Sequence, residues 1–399
     1  MVFGAQVVSY LGDWFAFVAL AGLVEDVTDS RFLVSLVLVS MTIPGLFMSP
    51  VAGSFADRFD RRKILIVISI LQAFAALLLL LHSAAGIWIT FVAQCLIAAL
   101  ASFVGPSTSA SVPNLVDNDD DLRKTNALFG STWGTMLAVG AALGGVFAAV
   151  FGRNAAFIAN AVSFVVAALL FSGVKRPMQS ERTQNSNKGR VRPIADMKEA
   201  INVAKKDPVI LALLCSKMTF AVGAGIVSQL AVLASNVFNV GDSGRGLLIG
   251  VRGIGSGLGP ILGARIAGRD MAKLLKVCGY AGLVFAVCYV GAALSPFIGM
   301  AAVFIALAHL SGGAQWTLST LGLQMEAPDH VRGRVMAGDM AMVNTMIGFT
   351  SILAGLTSQF IGVRPAIIIF AAAAAVASVV YLFATAGIIR RLRNETPHQ

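Results

Sequence analysis

Charge is what this chain has least of. Only 13% of its 399 residues are charged and 57% are apolar, where soluble domains carry about a quarter charged residues. A single water-soluble core stops growing at about 250–300 residues, so a soluble fold has no place for this much apolar surface. Cysteine is also scarce. Cys95, Cys215, Cys278 and Cys288 are the full set, they lie in apolar runs, and none has metal-ligand spacing. A disulfide-stapled domain and a cysteine metal centre are thereby excluded, and the four read as small packing residues. The four histidines, His82, His309, His330 and His398, are scattered, and the polar loops hold no paired-acid or histidine–acid motif. A polytopic membrane enzyme therefore lacks its catalytic cluster. There is no Gly-x-x-x-x-Gly-Lys-Ser/Thr loop, so ATP is not the expected energy source.

What is present is a series of apolar runs long enough to cross a bilayer as helices, about 20 residues each. Twelve occur, near 3–24, 33–54, 64–82, 87–107, 129–151, 154–173, 208–234, 245–264, 274–294, 297–320, 340–361 and 366–387. Glycine and proline inside them are tolerated in lipid. No alternating ten-residue pattern suggests a membrane barrel. The first run has no basic leader, is interrupted by Asp13 and precedes no small-x-small cleavage site, so it reads as a transmembrane helix rather than a signal peptide. Its abrupt start suggests that a short leader precedes it.

The net charge of +10 is unevenly placed. Twenty-four of the 30 lysines and arginines fall on one side of the twelve spans, and four, Arg31, Arg153, Arg245 and Arg364, on the other. This bias predicts that the rich side, with both termini, is cytoplasmic. It removes the need for a nucleic-acid partner, since the basic residues form a collar at the membrane lipids.

The longest polar stretch, 174–207, divides the chain into a six-span bundle over 1–173 and a second over 208–389, followed by a tail at 390–399. The stretch reads as a solvated linker in which 194–206 suits a surface helix. Shifted by 210 positions, the halves coincide: Pro50 falls on Pro260, Gly53 on Gly263, Asp60 on Asp270, Lys63 on Lys273, Asp119 on Asp329, Ala127 on Ala337, Gly145 on Gly355 and Gly152 on Gly362. Six spans per half give parallel repeats, an arrangement known among transporters with a site between the halves.

Between spans 2 and 3 the chain reads Gly53-Ser54-Phe55-Ala56-Asp57-Arg58-Phe59-Asp60-Arg61-Arg62-Lys63. This resembles the signature cytoplasmic loop of the major facilitator superfamily, which often has glycine where Asp60 stands. Span 5 carries Gly140-Ala141-Ala142-Leu143-Gly144-Gly145, similar to the exporter-associated motif of that superfamily with Ala141 in place of proline. Ser9-Tyr10-Leu11-Gly12-Asp13-Trp14, Gly105-Pro106, Val112-Pro113-Asn114-Leu115 and Arg332-Gly333-Arg334-Val335-Met336 look like its bacterial branch of enterobactin, macrolide and multidrug exporters. The resemblance implies an all-α fold of twelve transmembrane helices in a bacterial cytoplasmic membrane. It implies a cytoplasmic latch of Gly53, Asp57, Arg58, Arg61 and Arg62 against Arg334 and Asp339. Ala267 stands where the second half would repeat Asp57, so that latch is one-sided. The resemblance also implies a central cavity lined by spans 1, 4, 7 and 10.

Ionisable groups in hydrocarbon cost at least about 2.5–3.5 kcal/mol each, so each is a functional candidate. Asp13 shares one helical stripe with Gln6, Tyr10 and Phe17 and is the proton-coupling candidate, with His309 as a second. Lys217 and Arg252 can compensate Asp13, hold an anionic substrate or form static pairs. Gln94, Gln315 and Trp316 are further cavity candidates. The expected function is proton-coupled efflux of amphipathic small molecules, drugs among them, by alternating access. The chain would work as an antiporter and a monomer, with no cofactor beyond the proton gradient. Export of a siderophore or another anionic metabolite is the alternative, motivated by Lys217 and Arg252. A non-transporting sensor would lack a signalling domain after residue 390.

Overall fold

The computed structural model describes residues 1–116, 119–178, 205–267, 270–327 and 329–395. Among them there is no strand, and every predicted span is helical. The helices are α1 (Val2–Thr28), α2 (Arg31–Arg58), α3 (Arg61–Leu78), α4 (Trp88–Leu115), α5 (Asp119–Phe151) and α6 (Arg153–Ser172) in the first half. Those of the second are α7 (Pro208–Gly223), α8 (Asp242–Ala267), α9 (Met271–Leu294), α10 (Ile298–Glu326), α11 (Asp329–Ile361) and α12 (Val363–Glu395). Eleven are long and apolar enough to cross a membrane, and α2 offers a shorter apolar stretch, Arg31–Gly45. Large apolar side chains face outward: Phe360 and Phe383 are 83% and 79% exposed, a cost in water and a requirement in lipid. The cysteines are all free thiols.

Helix starts are fixed by side-chain caps that satisfy otherwise orphaned amides. Ser30 accepts from the Leu33 amide at 3.3 Å, Asp60 from Lys63 at 3.2 Å and Asp270 from Lys273 at 3.0 Å. Asp207 accepts from Val209 at 2.8 Å and from Ile210 at 3.1 Å, with Pro208 in the first turn. Asp60 and Asp270 are 210 residues apart. The same spacing relates the two non-glycine residues with positive φ, Asp29 at 48° and Asn239 at 55°, which end the first helix of each half. It also relates Gly152 and Gly362, at 84° and 96°, before α6 and α12. The repeat seen in the sequence is therefore a repeat of corners.

The packing repeats as well. In the first half α1 packs on α5 and α6, and α3 on α4 and α6; in the second, α7 packs on α11 and α12, and α9 on α10 and α12. One departure is α7, which continues from Gly223 as a 3-10 segment, Ala224–Gln229, and ends in a π turn, Leu233–Val237. The chain forms two compact units: Met1–Val191 with Asn239–Gly250, and Arg192–Phe238 with Val251–Gln399. Helix α8 thus begins in the first unit and ends in the second. The proposed surface helix at 194–206 falls, but for its last two residues, outside the described residues.

No heavy atom lies within 4 Å of a Cβ built on Gly152, and at Gly362 only Pro365 does, at 3.8 Å. Substitution there meets backbone strain without a clash. Gly152→Ala and Gly362→Ala are each expected to lose about 1–3 kcal/mol, read as matching drops in melting temperature of the purified protein. Unchanged melting at either corner would refute the shared geometry.

Candidate functional site

The second unit buries an ion pair. Lys217 on α7 is 1% exposed and Asp339 on α11 is fully buried. The Lys217 Nζ donates to Asp339 Oδ2 and, at 2.8 Å, to Thr320 Oγ1 on α10. It also lies 5.0 Å from the ring centre of Trp316. Asp339 Oδ1 is buried without a hydrogen-bond partner. Two charges taken out of water hold only when they answer each other. Next to the pair, fully buried Gln315 donates to the Ser216 carbonyl and, at 2.8 Å, to Thr219 Oγ1. Gln315 thereby ties α10 to α7. Asp339, expected near a latch, lies in the interior of its own unit.

A second polar group in this unit involves α8, α9 and α10. Tyr289 Oη and His309 Nε2 are 2.8 Å apart, and both side chains are buried. Arg252 lies one turn before Gly255 on α8, where a Cβ would stand 3.0 Å from His309 Cβ. The Arg252 Nε is buried and has no hydrogen-bond partner, and no carboxylate pairs with it among the described residues. Lys217 and Arg252, equivalent candidates in the sequence, thus have different partners: one is neutralised, the other is not.

In the first unit, Gln6 Nε2 donates to Tyr10 Oη at 2.9 Å, and Tyr10 senses the charge of Asp13 one turn on. Asp13 itself has no hydrogen-bond or ion-pair partner among the described residues. Gln94 is buried on α4. The next-door Gly12 seats α1 on α6, since a Cβ there would sit 2.1 Å from Ser163 Oγ.

The span-5 glycines serve close packing. A Cβ on Gly140 would stand 2.9 Å from Trp14 Cβ, and one on Gly144 2.8 Å from Phe15 Cα, both on α1. One on Gly145 would lie 2.6 Å from the Asp242 carbonyl and 2.7 Å from Gly246 Cα, at the start of α8. Helices approach this closely only where side chains are absent.

At the α2–α3 corner, Arg61 is buried and donates to the Met178 carbonyl at 3.2 Å, and Arg62 donates to the Arg176 carbonyl at 2.9 Å. The two arginines clasp the chain that leaves α6. The side chains of Asp57, Arg58 and Arg334, and the surroundings of Gly53, lie outside the described residues.

Sequence reasoning missed a charge cluster at the opposite ends of these helices. Arg245 is 2% exposed and donates to Glu25 at 2.7 Å and Asp242 at 2.6 Å. Arg153 donates to Asp26 at 2.7 Å and Asp242 at 3.0 Å. Three acids face two arginines. Gly22 makes room for them, because a Cβ there would be 2.4 Å from Asp242 Oδ1 and 2.8 Å from Arg245 Nη1. The available signal was Asp242 and Arg245 one helical turn apart, plus Glu25-Asp26 closing span 1.

These observations describe paired helical repeats of a membrane transporter. A family model described as "Transmembrane secretion effector", within the major facilitator superfamily, matches residues 1–393. The chain belongs to that family. Membership makes it a multi-pass membrane transporter and not an enzyme. It is 23% identical to BacE of Bacillus subtilis (strain 168), named as a bacilysin exporter, over 88% of this chain and 86% of that protein. It is also 23% identical to the Staphyloferrin A transporter of Staphylococcus aureus (strain NCTC 8325 / PS 47), over 90% and 89%. Its fold matches a bacterial homolog of the human lysosomal transporter Spinster, inward-facing and occupied, with TM-score 0.76 and 14% identity over 96% of this chain and 95% of that one. A POT family transporter bound to a thioalcohol-conjugated peptide gives TM-score 0.76 and 12% identity over 97% and 96%. At these identities the two structures speak for the fold alone, which is the twelve-helix fold of this superfamily.

Removing one partner of the α7–α11 pair should leave an unanswered buried charge. Lys217→Met is expected to cost about 3–5 kcal/mol, and Lys217→Met with Asp339→Leu to regain most of it. Melting of the purified variants reads both. Additive losses in the double variant would show that the two groups do not act as a pair.

Proposed function

We propose that the chain is a proton-coupled exporter of amphipathic small molecules, drugs among them. It works as a monomeric antiporter by alternating access in a bacterial cytoplasmic membrane, with both termini in the cytoplasm. The observation that carries this reading is Asp13, a carboxylate within α1 that has no hydrogen-bond or ion-pair partner among the described residues. A paired carboxylate is held in its charged form by its partner. An unpaired one in a low-dielectric site is free to take up a proton and give it back. Gln6 and Tyr10 lie on the same stripe and supply polar groups beside it. Outward transport is supported by family membership and by the relatives named for bacilysin export and Staphyloferrin A transport. The cytoplasmic placement of the termini is supported by the concentration of 24 basic residues on one side of the spans.

The export cycle would alternate between two occupants of one protein. Proton uptake at Asp13 favours the state that has released cargo, and proton release favours the state that accepts it. The test is efflux of a lipophilic fluorescent dye bearing one carboxylate from proteoliposomes under an imposed pH gradient. Efflux is expected to collapse with an uncoupler. Asp13→Asn is expected to lower gradient-driven efflux at least about tenfold while leaving dye binding in place. Normal gradient-driven efflux by that variant would remove Asp13 from coupling, and efflux indifferent to the uncoupler would end the proton-coupled reading.

A further inference from the structure

We propose that Arg252 recognises a carboxylate, so that the cargo is a monoanion with an aromatic or apolar body seated in the second unit. The assignment rests on the export reading only in taking the occupant to be the cargo.

Two other buried cations of this chain are paired with acids. Lys217 meets Asp339; Arg245 meets Glu25 and Asp242. Arg252, on the span helix α8, meets no carboxylate among the described residues, and its Nε is sealed from water without a hydrogen bond. Removing a guanidinium from water costs several kcal/mol that an anion of good geometry restores. A guanidinium offers a planar fork of donors matched to the two oxygens of a carboxylate.

The place is built. Gly255, one turn from Arg252, and Gly259, one turn further, press α8 onto α10: their Cβ atoms would stand 2.2 Å from the Ala306 carbonyl and 2.3 Å from the Leu310 carbonyl. This contact sets the turn of α8 after Arg252 against His309 on α10, since a Cβ on Gly255 would also stand 3.0 Å from His309 Cβ, and His309 in turn meets Tyr289 on α9. From there aromatic rings run in sequence. Phe285 lies 4.7 Å from Tyr289 and 5.8 Å from His309, Phe220 lies 4.9 Å from Phe285, and Trp316 lies 6.4 Å from Phe220. Phe220 and Trp316 are partly exposed, and present ring surface to an apolar body.

The charge of the cargo follows from the balance inside this unit. Lys217 is spent on Asp339, so of the two cations placed within these spans, Arg252 has no carboxylate among the described residues and is the one left to answer a ligand. A dianion such as a phosphate monoester would bring a charge with no partner. A single carboxylate leaves none.

Equilibrium binding of dansyl-phenylalanine and of its uncharged carboxamide to the purified full chain tests this, with no ion gradient present. Wild type is expected to bind the acid about tenfold or more tightly over the amide. Arg252→Gln is expected to bring the acid down to the level of the amide and leave the amide unchanged. Arg252→Lys, which keeps the charge without the fork, is expected to retain part of the preference. Equal affinities in wild type, or an undiminished preference in Arg252→Gln, would overturn the proposal. If Arg252→Gln does not fold, a wild-type acid-to-amide ratio in Arg252→Lys would overturn it. Failure of gradient-driven dye efflux would instead strike the export reading, because the binding measurement involves no transport.

Discussion

In hydrocarbon a charge must be answered, and the organisation of this chain follows from how it meets that demand. Most embedded charges are met from within. Lys217 and Asp339 neutralise each other across α7 and α11. Arg153 and Arg245 share Glu25, Asp26 and Asp242 at the helix ends. Each of these sets binds helices together as it satisfies its members. Among the described residues Asp13 and Arg252 stand outside such sets, one anion in the first unit and one cation in the second. Stability accounts for the paired groups. The two without such a partner carry a cost that the described contacts leave uncompensated, and they are the groups to which we assign the proton and the cargo.

The same economy of polar groups requires the helices to touch. Without a hydrophobic force between spans, association comes from close packing and polar bonds. Gly12 on α6, Gly140 and Gly144 on α1, Gly145 on the start of α8, and Gly255 and Gly259 on α10 each sit where a methyl group would collide. Short polar bonds act alongside such glycines, as when Gln315 bonds α7 and when Thr350 on α11, against which Gly225 is pressed, donates to the Ala221 carbonyl at 3.0 Å. Charge placement and helix proximity are therefore one problem, because a pair such as Lys217–Asp339 forms only if neighbouring backbones come close enough.

Much of the fold was legible in the sequence because its signals are local or periodic. Apolar run length gave the spans. The offset of 210 residues gave the repeat, and it is realised in the caps Asp60 and Asp270 and in the corners Gly152 and Gly362. Pairing was not legible, since Arg245 meets Glu25 across 220 positions and Lys217 meets Asp339 across 122. Arg153 and Arg245, which read as the sparse charges of one membrane face, belong to a five-member cluster. Arg61, which read as a latch residue at the lipid headgroups, is buried on the Met178 carbonyl. The glycine motif of span 5 was found by its spacing, but which neighbours it meets depends on helix crossings that no run of residues encodes.

The departure of α7 from the repeat has a mechanical consequence. Its counterpart α1 is a single α-helix of 27 residues, a stiff rod. After Gly223, α7 passes through six residues of 3-10 geometry and later five of π. Each 3-10 residue rises about 0.5 Å more than an α residue, so the first segment stretches the helix by about 3 Å. In the two segments carbonyls are bonded one position short or one position long of the usual partner. The two leading helices of the repeats thus differ as a rod of even pitch differs from one of mixed pitch, and the mixed one belongs to the unit that also holds Arg252.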